Sequence, residues 1–126
     1  MTDIPETEVQ VLLFSSDLML ISSSGGAAAA LGFRFRSASS MEDLIAKATP
    51  ATVLCVDLAF APVDPIRISE QLPMLTTRAG IAFGPHVHTA KLDQARDAGF
   101  AKVMSRGQFV GRMIDELKIA AAIYLP

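Results

Sequence analysis

A chain of 126 residues is long enough to bury one core and too short for two domains. Eleven Lys and Arg against thirteen Asp and Glu leave a net charge of −2, with no basic excess to grip a nucleic-acid backbone. Apolar residues make up 51 % of the chain, yet they come in runs far shorter than the roughly 20 needed to cross a bilayer, and one cysteine excludes an intramolecular disulfide. Residues 1–8 are acidic, with neither a basic flank nor an apolar stretch, so they are expected to be a solvated tail rather than a signal peptide. Residues 9–126 then form the domain of a cytoplasmic protein, with Cys55 a reduced core residue.

Residues 9–14 are a short β-branched apolar run and predict a strand. Ser15, Ser16 and Asp17 offer three helix caps, and the helix that follows is expected to run to Ala30 and stop near Gly32. Gly25 and Gly26 lower its propensity, and a close approach to a sheet would explain them. Residues 32–36 alternate apolar and basic side chains, as in a half-exposed strand near a sheet edge. Ser39 and Ser40 cap a helix whose inner face is Leu44, Ile45 and Ala48 and which Pro50 ends. The nearly unbroken apolar run over residues 51–57 suits a central parallel strand closing on Asp57. A helix over 66–75, damaged at Pro73, precedes a strand over 80–83; a helix over 89–98, closed by Gly99, precedes a strand over 101–105. One last helix spans 108–124, with Phe109, Val110, Met113, Ile114, Leu117, Ala121 and Tyr124 as its core stripe. Five strands alternating with five helices predict an α/β fold: a parallel sheet, right-handed crossovers and helices on both faces.

In open α/β sheets chemistry collects beyond the carboxyl ends of the strands, which directs attention to Ser15, Ser16, Asp17, Asp57, residues 84–88 and residues 105–107. Asp57 ends the third strand, and Asp97-Ala-Gly-Phe-Ala-Lys-Val-Met-Ser-Arg106 forms a helix end, turn and fifth strand. In these features the chain from Val9 onward resembles the receiver domain of bacterial response regulators. The resemblance implies a flavodoxin-like three-layer sandwich with strand order 2-1-3-4-5, and it makes Asp57 the equivalent of the phosphoryl-accepting aspartate.

Several positions depart from that family. Its receivers end the first strand with two adjacent acids that hold Mg²⁺, where this chain has Ser15 and Ser16, and neutral hydroxyls are poor substitutes for carboxylates. Asp17 is expected to cap the helix rather than hold metal. Gly84 stands in place of the family's phosphoryl-contacting hydroxyl and Val103 in place of its switching aromatic. Arg106 replaces its lysine, after Ser105, and Gly107 its proline. A site without metal ligands loses its main source of phosphoryl-transfer rate. The expectation is a degenerate receiver, or pseudo-receiver: a signalling module of the two-component kind, not an enzyme and without cofactor. Asp57 would then pair with Arg106.

Two alternatives remain open. In one, Asp57 is a true phosphoryl acceptor, and only then is Mg²⁺ a possible cofactor. In the other, His86, His88 and Asp57 imitate a two-histidine, one-carboxylate metal face, although an isolated His-x-His is a weak signal. Ile119 and Ile123 fall off the core stripe of the last helix, beside Arg112 and Glu116. They are the expected contact for a protein partner or a second copy of the chain, with no direct role for nucleic acid or membrane.

Overall fold

The computed structural model describes residues 8–126, so the acidic tail expected over residues 1–8 lies, except for Glu8, outside the described residues. Five parallel strands form one sheet in the order β2-β1-β3-β4-β5. They are β1 (Gln10–Phe14), β2 (Arg34–Ala38), β3 (Thr52–Asp57), β4 (Gly80–Gly84) and β5 (Lys102–Ser105). This is the flavodoxin-like arrangement expected from the resemblance. Every residue of β1, β3 and β4 is buried, as central parallel strands with helices on both faces require. On one face Val11, Leu13, Val53, Cys55, Ile81 and Phe83 pack in one cluster; Leu12, Phe14, Leu54, Val56 and Ala82 belong to the opposite one. Burial pushes the Cys55 thiol up to about 12, which leaves it protonated and inert in the core.

The helices are α1 (Leu18–Ala30), α2 (Met41–Lys47), α3 (Pro65–Gln71), α4 (Pro73–Ala79), α5 (Thr89–Asp97), α6 (Arg106–Gly111) and α7 (Met113–Ala121), followed by a 3₁₀ turn at Ala122–Tyr124. Helices α1, α6 and α7 cover the first face, and α2, α3 and α5 the second. Asp17 caps α1, Ser40 caps α2 and Asp64 caps α3, each accepting backbone N–H groups that the helix start leaves unpaired.

Four expectations need correction. Strand β2 begins two residues later than the alternating pattern predicts, because Gly32 and Phe33 still turn out of α1. Pro73 does not damage one helix but starts a second, standing in its first turn where a missing N–H costs nothing. The last helix is not continuous: it kinks at Arg112 (φ −131°, ψ 30°), although Arg112 N–H still donates to Gln108 and Glu116 N–H to Arg112. Across the kink Phe109, Met113, Leu117 and Ala121 keep one buried face, whereas Val110 and Ile114 are exposed, as is Ile45 of α2. Finally, a Cβ on Gly25 would make only ordinary contact, at 3.4 Å, with the Phe35 ring and one on Gly26 would meet nothing, so close approach to the sheet requires neither glycine.

Candidate functional site at the carboxyl edge of the sheet

Asp57 is the last residue of β3 and is 4 % exposed. Both of its carboxylate oxygens have donors. Ser15, one residue past the end of β1 and itself buried, donates its hydroxyl to Oδ2 at 2.7 Å, and the Ala59 amide donates to Oδ1 at 3.1 Å. The Asp17 amide in turn donates to Ser15 Oγ at 3.1 Å, which orients that hydroxyl. The register β1–β3–β4 fixes this meeting, since Phe14 lies opposite Val56 and Asp57 opposite Phe83.

Asp17 sits nearer the surface and is also fully engaged. Its Oδ1 accepts the amides of Met19 (2.9 Å) and Leu20 (3.1 Å), and its Oδ2 accepts Arg106 Nη2 at 2.9 Å. The Leu20 amide first and the Arg106 guanidinium second hold the Asp17 carboxyl below its ordinary value. Here the structure overturns an expectation: Arg106 pairs with Asp17, not with Asp57. Arg106 opens α6 at the surface, where the half-exposed Asp17 is within reach, while Asp57 is sealed beneath and already supplied with donors.

The Ser105 hydroxyl is engaged in capping α6, in a capping box with Gln108. Ser16 is exposed. Gly84 ends β4, and a Cβ there would come within 3.1 Å of Leu58 Cβ, so the fully buried Leu58 side chain lies against the position where a hydroxyl-bearing residue would stand. His86 and His88 are exposed in the turn before α5, and no group of three or more His, Cys, Asp or Glu among the described residues could hold a metal ion. The face imagined from His86, His88 and Asp57 is therefore not assembled. Lys91 was not foreseen: its Nζ donates to the Leu58 carbonyl at 3.0 Å, 33 residues away, tying α5 to the loop after Asp57. Nothing local to a polar helix start marks that lysine, whereas the burial of Leu58 follows from the apolar run it extends.

No known family matches the chain by sequence, and no curated protein does. Solved structures do match. The structure described as FixJ-N has a TM-score of 0.72 at 18 % identity, over 97 % of this chain and 96 % of that one. The beryllofluoride-activated receiver domain dimer of NtrC4 has a TM-score of 0.72 at 18 % identity, over 91 % of this chain and 98 % of that one. The signal receiver domain of an HD domain-containing protein from Pseudomonas fluorescens Pf-5 reaches 0.75 at 14 % identity, over 98 % and 93 %. At such identities the likeness establishes architecture and nothing finer: the chain has the fold of the response-regulator receiver domains.

Proposed function

We propose that this chain is a degenerate receiver, a signalling module that works through protein contact and without Mg²⁺-dependent phosphorylation of Asp57. The observation that carries the reading is the 2.7 Å hydrogen bond from Ser15 to Asp57 at the strand end where the receiver family places acids. A hard divalent cation asks for several oxygen ligands, preferably anionic. Here one carboxylate is occupied by a hydroxyl and an amide, the other by two helix amides and a guanidinium, and Ser15 and Ser16 add only neutral hydroxyls. This donor set does not fit magnesium, and the Arg106 charge at the mouth opposes a second cation. The Leu58 side chain against Gly84 further favours a packed pocket over one that receives a phosphoryl group. No cofactor is assigned, and the module is proposed not to be an enzyme.

Contact is assigned to the last helix and the 3₁₀ turn that follows it, where Ile119 and Ile123, each 53 % exposed, line a cleft. The central test is intact mass after incubation with acetyl phosphate and Mg²⁺, on the parent chain and on Asp57→Ala. Neither is expected to gain a phosphate-sized mass. An acid-labile gain in the parent alone would replace this reading with that of a true phosphoryl acceptor.

A further inference from the structure

At the opposite, amino edge of the sheet a cavity of about 370 Å³ opens between α2, α4 and the terminal 3₁₀ turn. Its walls are Ile45, Ala48, Pro50, Leu72, Met74 and Leu75, with the Tyr124 ring closing one side. Met74 is 61 % exposed and Ile45 42 %, so apolar surface remains uncovered at the rim. The polar groups of the lining are few, and two of the three are already committed. The Tyr124 hydroxyl donates to the Thr52 carbonyl at 2.7 Å, and the Thr49 hydroxyl shares a 3.0 Å hydrogen bond with that of Thr52. The third is Arg78, the one charged side chain of the lining, which makes no hydrogen bond or ion pair with any described residue.

A concave apolar wall bordered by one exposed, uncommitted cation, Arg78, which also borders the neighbouring cleft beside Ile119, selects a ligand with an apolar body and a single anionic head. We infer that this cavity binds a small amphipathic carboxylate, its chain or ring against Leu72, Leu75 and Tyr124 and its carboxylate on Arg78. The site is separate from Asp57, which lies at the other end of β3, and the inference is independent of whether Asp57 is phosphorylated. A planar guanidinium presents paired N–H donors to a carboxylate, which an ammonium or an alcohol head cannot use.

The test uses decanoate as probe on the full chain, followed by calorimetry and by backbone amide NMR shifts, with decanol and decyltrimethylammonium as comparators. Decanoate is expected to bind saturably at one site and to move the amides of Ala48, Thr49, Leu75 and Arg78. Arg78→Met keeps the apolar stem and is expected to weaken binding about tenfold, the usual worth of a charge-assisted hydrogen bond. Leu75→Trp, which fills the cavity, should abolish binding, with thermal unfolding confirming that both variants fold. The inference is overturned by absence of saturable binding below the concentration at which decanoate forms micelles, by shifts confined to other surfaces, by an unchanged affinity in Arg78→Met, or by equal affinity for decyltrimethylammonium.

Discussion

The hydroxyl of Ser15 and the carboxylate of Asp57 are both buried, so neither has water to replace a lost partner. Ser15→Ala should therefore cost about 1–3 kcal/mol, read as a lower urea midpoint with an unchanged slope, because it strands Oδ2 while the Ala59 amide still serves Oδ1. Asp17 behaves differently, being half-exposed and held by amides and a guanidinium. Its folded pKa is depressed below 3.8, so the stability it contributes is complete above that value and disappears as pH falls through the lower folded one. The gap in melting temperature between the parent and Asp17→Ala should thus be full near neutral pH and close under acid below the ordinary carboxyl value. A gap that persisted there would mean that Asp17 acts otherwise than through its charge.

At the level of elements, the chain passes from α4 to β4 with no loop at all, Ala79 ending the helix and Gly80 beginning the strand. A Cβ on Gly80 would stand 2.5 Å from the Thr76 carbonyl oxygen and 2.9 Å from Thr76 Cα. That carbonyl accepts the Ala101 amide at the start of the β5 side, so it cannot retreat without loss. Gly80→Ala is expected to cost about 2–3 kcal/mol in chemical unfolding. Gly26→Ala, within α1 and facing open space, serves as the contrast and should stabilise by about 0.5–1 kcal/mol. The kinked final helix also has a reason at this scale. Ser105 and Gln108 cap α6 so that Phe109 stacks on Phe83 with ring centroids 4.2 Å apart, and a turn at Arg112 then lets Met113, Leu117 and Ala121 follow the same sheet face.

For the molecule as a whole, the amino edge offers the apolar cavity beside Arg78, the carboxyl edge offers a closed polar pocket, and the last helix with its 3₁₀ turn leaves Ile119 and Ile123 uncovered. Ile119→Glu is expected to abolish self-association or partner binding, measured by light scattering and pull-down, while shifting monomer stability by no more than about 0.5 kcal/mol. Unchanged assembly and unchanged partner binding would remove the last helix from its assigned role. The architecture was legible in the sequence because burial on both faces demands unbroken apolar strands, and caps such as Asp17 and Ser40 write helix starts into adjacent residues. The position of Asp57 at a strand end was legible for the same reason. Partner choice was not: Arg106 could reach either aspartate by its order in the chain, and Lys91 carried no local mark at all. Periodicity and capping are properties of neighbouring residues, so the amino-acid sequence alone determined the five strands and the helix starts at Asp17 and Ser40, but not the breaks that make two helices around Pro73 and two around Arg112. Which donor meets which oxygen across 42 or 89 residues depends on reach and burial of a few ångströms, and only the packed tertiary structure decided it.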